Sequence, residues 1–231
     1  MYRKLTCIAQ ARVIAGRKTA PHICSIVLDR DTSTLLRVCL PFDSKENMPI
    51  RRWSTFEAVL EKQSRDTRQE SFFIDDKKHN VLNCAKGQAT ASIHRELLNL
   101  AVPEEQLIEE KRTIGVKKLK SLVLHFESLD AKAKQIEENM EEYYDLVFAE
   151  KIIRVSGEDA LTGKKYGRQL LDWNLYETMR INRCNNIKQT TKEIKETINR
   201  YKHPYFITGT TRRRRKSFMA ISVLSSPFSY G

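Results

Sequence analysis

Three short runs of β-branched and apolar residues fall within the first forty positions, each ended by turn chemistry, and this spacing constrains the fold most. Residues 3–14 form the first run, stopped by Gly16; His22–Leu28 and Thr34–Leu40 form the second and third. Asp29-Arg30-Asp31-Thr32-Ser33 has the composition of a hairpin turn, and Pro41 ends the third run. A sheet of three strands leaves open edges unless it closes or recruits neighbours. The expectation is therefore a small antiparallel β-barrel or sheet. Ile50–Lys62 fits a helix face through Trp53, Phe56 and Leu60, or a strand face through Phe56, Ala58 and Leu60. Its strand neighbours favour a strand, and Phe72-Phe73-Ile74 adds another. Residues 1–74 are thus expected to form a β-rich, barrel-like module.

Periodicity changes after residue 74. Asp75–Gly87 is polar and reads as a loop. Thr90–Leu100 places Ile93, Leu97 and Leu100 on one helical face. Pro103 with Glu104 and Glu105 predicts a helix start, and that helix is expected to stop near Gly115. Leu119–Phe126 reads as a strand. Leu129–Phe148 reads as a helix with Ile136, Met140, Tyr143 and Val147 on one side and acids on the other. Residues 75–150 therefore form a helical, acidic middle region. In residues 151–231, Lys151–Val155 reads as a strand, Ser156–Gly167 as a loop, and Gln169–Ile181 and Ile187–Tyr201 as helices. The chain closes with a hairpin, Tyr205–Thr208 and Ser217–Leu224, around the loop Gly209–Lys216. The fold class is α+β: a β-rich module, then a mixed helix and strand region ending in a β-hairpin.

Charge is unevenly spread along this plan. The chain carries a net charge of +12; residues 1–74 hold +5, residues 75–150 hold −4 and residues 151–231 hold +11. A cationic block of this kind is the electrostatic footprint of a polyanion binder. Its sharpest point is the loop run Arg212, Arg213, Arg214, Arg215 and Lys216. Five consecutive cations repel one another until a polyanion neutralises them, and guanidinium groups grip phosphates bidentately. A second combination, Arg51, Arg52 and Trp53 with Phe56 nearby, joins cations to aromatics. On an OB-like barrel such groups stack bases while the cations hold the backbone; the other reading makes Trp53 and Phe56 core residues.

No catalytic signature and no metal signature stands out. The five cysteines (Cys7, Cys24, Cys39, Cys84, Cys184) lack C-x-x-C spacing, and Cys7, Cys24 and Cys39 lie in apolar runs as small buried hydrophobes. The five histidines are scattered, G-x-S-x-G is absent, and Gly163-Lys164-Lys165 lacks the glycine spacing of a phosphate loop. Asp66, Arg68 and Glu70 alternate and would share one strand face as a salt-bridged patch. Together with Asp75, the two acids Asp66 and Glu70 are the material for a metal-dependent nuclease, a third reading. No apolar run reaches the ~18–20 residues of a membrane span. The N-terminus lacks a signal-peptide core, so a soluble, cytoplasmic protein is expected.

The pattern Arg52-Trp53, Phe56-Glu57, Leu60-Glu61-Lys62, Asp66, Arg68 and Glu70-Ser71-Phe72, with Asp172-Trp173, Tyr176, Phe206-Ile207, Gly209 and Ser217-Phe218, resembles uncharacterised prokaryotic proteins of mobile-element and defence loci. In that pattern Cys and His can precede the Asp-Trp pair; residues 163–169 contain neither, so the resemblance implies no metal site and no known activity. The reading that unites these features is a non-enzymatic nucleic-acid-binding or accessory protein. It would use its basic C-terminal face on phosphates, without a cofactor; the sequence does not distinguish DNA from RNA as the partner. The alternative is a protein-interaction subunit of a larger effector, docked through the acidic helix 129–148.

Overall fold

A computed structural model describes residues 2–11, 14–16, 19–41, 50–62, 66–128, 151–211 and 215–229. The strands are β1 (Tyr2–Gln10), β2 (Ile14–Gly16), β3 (Thr19–Asp29), β4 (Thr34–Pro41), β5 (Ser54–Lys62), β6 (Ser71–Cys84), β7 (Ile114–Ser128), β8 (Lys151–Asp159), β9 (Lys165–Gln169), β10 (Pro204–Thr210) and β11 (Phe218–Ser225). The helices are α1 (Gln88–Asn99), α2 (Glu104–Glu109), α3 (Trp173–Ile181) and α4 (Arg183–Asn199). The α+β class is thereby observed, and none of the described helices is long and apolar enough to cross a membrane.

The first half is a closed five-stranded barrel. Pairings run β1-β3-β4-β6-β5 and back to β1, with β2 added at the end of β3. All are antiparallel except β4–β6, where Arg37, Val38 and Cys39 run parallel to Ser71, Phe72 and Phe73. The interior is apolar: Leu5, Cys7, Val27, Val38, Phe56 and Ala58 are fully buried. Ile50–Lys62 contributes a strand, as its neighbours suggested.

The second half is a separate five-stranded antiparallel sheet in the order β11-β10-β7-β8-β9. Its two edges meet: Leu170 and Ala220 form a parallel bridge, and the Leu171 N–H donates to the Ala220 carbonyl at 2.9 Å. The sheet thus curls into a second, loosely closed barrel. Tyr176, Met179, Ile194 and Ile198 of α3 and α4 pack into it against Leu119, Val155, Phe206 and Val223. The final hairpin joins this sheet through β10 on β7.

Numbering the five barrel strands of each half in chain order gives one arrangement twice. The ring is first-second-third-fifth-fourth, with the third and fifth parallel. Between the halves lies a third apolar core. It joins Ile8, Ile26, Leu28 and Leu35 of the first barrel to Ile93 and Leu97 of α1 and to Ile114, Val116, Tyr205, Ile207 and Ile221 of the second.

Several expectations are corrected. Asp75–Gly87 is largely strand: β6 runs to Cys84, because its polar stretch pairs with β5 through Ala58–His79 to Ser54–Cys84, and a strand with a solvated side needs no apolar run. The β-rich unit therefore extends past residue 74. Ser156–Gly167 is not a loop either. β8 continues to Asp159, and the chain turns back at Gly163, whose φ of 70° suits glycine, into β9. Gln169 belongs to β9, so the helix begins only after Asp172, whose side chain caps it by accepting from the Asn174 N–H at 3.0 Å. The helix begun at Pro103 ends by Glu109, and Gly115 lies within β7. A Cβ at Gly115 would sit 2.4 Å from Leu107 Cδ1, so the glycine lets α2 pack on the strand. The predicted helix Leu129–Phe148 falls outside the described residues.

Candidate nucleic-acid interface

Thr210 ends β10 and is the root of the cationic loop. Its N–H donates to the Thr113 carbonyl at 2.9 Å. Its own carbonyl accepts from Arg37 Nη1 and from Arg68 Nη1, each at 2.8 Å. Both arginines come from the first barrel, and both are buried. Arg37 also donates from Nη2 to the Thr113 carbonyl at 3.1 Å. Glycine at 209 leaves the guanidinium room: a Cβ there would lie 3.1 Å from Arg37 Nη2, a tight contact.

Acids of the first barrel complete the base. Asp66 holds Arg68 in a fork, Oδ1 to Nε at 2.9 Å and Oδ2 to Nη2 at 2.5 Å. Glu70 Oε1 accepts from the Thr113 N–H at 2.7 Å and from the Thr113 hydroxyl. Burial strengthens such bonds relative to water, so the loop leaves a preorganised base. Beyond it, Arg215 Nη2 donates to Thr67 Oγ1, and Arg215 and Lys216 are exposed. Arg212, Arg213 and Arg214 lie outside the described residues.

Arg51, Arg52 and Trp53 sit elsewhere. Arg51 is exposed. Arg52 reaches across to the second half, where Nη2 donates to Asp172 Oδ1 and Oδ2 at 3.0 and 2.9 Å and also to Ser222 Oγ. Asp172 further accepts from the Ser222 hydroxyl and from the Val223 N–H at 3.2 Å. Trp53 packs on the core between the halves, its ring centroid 5.0 Å from that of His94. Its φ of 70° is held by bonds from the Trp53 N–H to the Cys7 carbonyl at 2.7 Å and from the Ala85 N–H to the Trp53 carbonyl at 2.8 Å. Phe56 is fully buried inside the first barrel. The structure therefore gives Arg52 and Trp53 contacts at the junction of the halves.

The carboxylates proposed for a metal are engaged in the protein's own bonds where they are described. Asp66 pairs with Arg68, Glu70 bonds Thr113, and the side chain of Asp75 is outside the described residues. Among the described residues no three His, Cys, Asp or Glu side chains form a group that could hold a metal ion. Burial pushes the Cys7 and Cys39 thiols up to about 12 and raises that of Cys24, which leaves them protonated hydrophobes at neutral pH.

Sequence reasoning missed Arg37. Its signal was present: one cation within the otherwise apolar run Thr34–Leu40 must find buried acceptors, and it finds them on the other half of the chain.

No family model matches the chain, and no curated protein matches it. A solved structure titled "Structure and Conformational Change of a Replication Protein A Heterotrimer Bound to ssDNA" is similar at 11% identity and a TM-score of 0.33. The similarity covers 90% of this chain and 43% of that one, so the chain spans less than half the length of its neighbour.

Proposed function

We propose that this chain is a non-enzymatic nucleic-acid-binding or accessory protein that neutralises phosphates with its C-terminal cations. One observation supports the reading: the run Arg212–Lys216 falls in sequence between β10 and β11, the fourth and fifth strands of the second half, and the chain enters that stretch from the buried base at Thr210. Five-stranded Greek-key barrels of the OB type bind oligonucleotides and oligosaccharides through the face of strands two and three and through the loops joining strands one to two and four to five. A net charge of +11 over residues 151–231 favours the nucleic acid over a neutral sugar.

Binding of this kind weakens steeply with salt, because each neutralised phosphate releases counterions. The test is fluorescence anisotropy with a labelled oligonucleotide across a salt series. The expected result is a steep log–log slope. Changing Arg212–Arg215 to Ser should make it shallower by about 0.7–0.9 for each phosphate left without its cation. Unchanged affinity and slope in that variant would remove the loop from the interface.

A further inference from the structure

The antiparallel pairing of β3 with β4 sets two cysteines directly opposite each other. Cys24 and Cys39 are register partners, and both are half-buried free thiols. The backbone bonds around them fix which kind of pair they form. The Cys24 carbonyl accepts from the Ala11 N–H at 2.9 Å, so Cys24 turns its backbone groups away from β4. The Arg37 N–H donates to the Glu70 carbonyl at 2.8 Å, so Arg37, and Cys39 next but one along the strand, turn theirs toward β6 and away from β3. Cys24 and Cys39 are therefore a non-hydrogen-bonded pair. Pairs of that kind bring their Cα atoms to about 4.5 Å and their side chains closest together. The spacing lies within the roughly 4.4–6.8 Å that a disulfide spans. Cys7 on β1 and Cys84 on β6, by contrast, have β5 between them. Two strand spacings, about 9.5 Å, exceed the ~7 Å limit for a bridge.

The pair stands at a sensitive place. Side chains alternate along a strand, so Cys39 shares its face of β4 with Arg37, which holds the Thr210 and Thr113 carbonyls of the second half. Cys24 packs on the apolar core between the halves.

We infer that Cys24 and Cys39 are a redox pair that closes into a cross-strand disulfide and staples β3 to β4 beside the joint between the halves. The inference is independent of the nucleic-acid reading. The oxidant is a small-molecule disulfide. One cysteine, as thiolate, attacks a sulfur of the oxidant; a mixed disulfide forms and the first small thiolate leaves. The other cysteine, deprotonated in turn, attacks the protein sulfur of that mixed disulfide. The Cys24–Cys39 bond forms, the second small thiolate leaves, and the departing thiolates take up the two protons. The cysteine pair loses two electrons and the oxidant gains them. Burial keeps the thiolates scarce, and Arg37 offsets it only in part. Closure is therefore slow, on the scale of hours, and makes a lasting bond instead of a fast sensor.

The test incubates the full chain overnight with glutathione disulfide at about pH 8.5, near the ordinary thiol pKa. Free thiols are then alkylated and the chain is digested with trypsin. Cleavage after Lys18, Arg30, Arg37 and Lys45 places Cys24 in the peptide 19–30 and Cys39 in the peptide 38–45. The expected result is these two peptides linked to each other within a monomer, and released by dithiothreitol. The oxidised chain should melt about 6–12 °C higher than the reduced one, the shift for a closed loop of about 15 residues in a chain of this length. Cys24→Ser and Cys39→Ser should each abolish the link and the shift, and Cys84→Ser should keep both. The link is read in the unaltered chain, so a variant that fails to fold does not remove the test.

Both cysteines found alkylated, glutathione adducts without the internal link, or either cysteine joined to another site or another chain would overturn the inference. A link that forms and leaves the melting midpoint unmoved would overturn the staple.

Discussion

His94 stands where α1 meets the second barrel. Its Nδ1 is 2.7 Å from the Tyr205 hydroxyl, and its ring lies between Trp53 and Tyr205 at centroid distances of 5.0 and 5.7 Å. Burial disfavours the imidazolium and holds the pKa below the ordinary 6.5. The consequence for stability has a definite sign. As pH falls through about 6.5 the unfolded chain takes up a proton that the folded chain still refuses. The unfolded state then binds more protons, and stability drops until the depressed folded value is reached. Urea midpoints should therefore fall between about pH 7 and pH 5. His94→Gln, which cannot titrate, should flatten that part of the profile even if it lowers stability at every pH. Asp159 pulls in the same direction at lower pH. Burial raises its pKa, but the hydrogen bond from Lys117 and the N–H groups of Leu161 and Thr162 outweigh burial and hold it low, so its contribution is lost only in acid.

At the scale of elements, the β7–β8 pair shows how a glycine placed for packing can be mistaken for a glycine in a loop. The register slips between Leu119 and Ser121, and the Ser121 carbonyl lies close to Gly157. A Cβ there would lie 2.2 Å from that oxygen, which is backbone and cannot rotate away. Gly157→Ala should cost about 1–3 kcal/mol or more in denaturant unfolding, the range of an overpacked site. Gly167→Ala, on the neighbouring strand with open space around it, should change stability by no more than about 0.5 kcal/mol. Equal effects at the two positions would contradict the packing account. Three glycines between residues 156 and 167 read as a loop because composition reports conformational freedom. It does not report which glycine is needed for close approach and which is merely tolerated.

At the scale of the whole molecule, the two barrels share one apolar core and a buried ionic tie. Arg52 from the first barrel and Asp172 from the second are 2.9 Å apart, with side chains 17% and 2% exposed. Exposing Ile26, Leu28 and Leu35 by separating the barrels would cost roughly 1.5–3 kcal/mol for each side chain. One cooperative urea transition is therefore expected, with intrinsic fluorescence and circular dichroism coinciding. Asp172→Ala should lower stability by about 3–5 kcal/mol, since the part-buried Arg52 would lose its charge partner and Ser222 and Val223 would lose a buried acceptor. Two separated transitions in the unaltered chain would show that the barrels stand alone.

Much of this architecture is local and was legible residue by residue. The β-branched runs of β1, β3 and β4, the turn at Asp29–Ser33, the apolar periodicity of α1 and the final hairpin all follow from side-chain shape and backbone preference, which act over a few positions. So does the concentration of cations after residue 150, because charge is additive along the chain. Closure of the first barrel, the repeat of its strand order in the second and the burial of Ile26, Leu28 and Leu35 between the halves were decided by tertiary structure. So were the partners of Arg37, which lie 76 and 173 positions away at Thr113 and Thr210, and that of Arg52, 120 positions away at Asp172. A sequence displays the need of a buried guanidinium for acceptors. Which acceptors meet that need depends on strand register and on how two apolar faces settle against each other, and those are properties of the assembled chain.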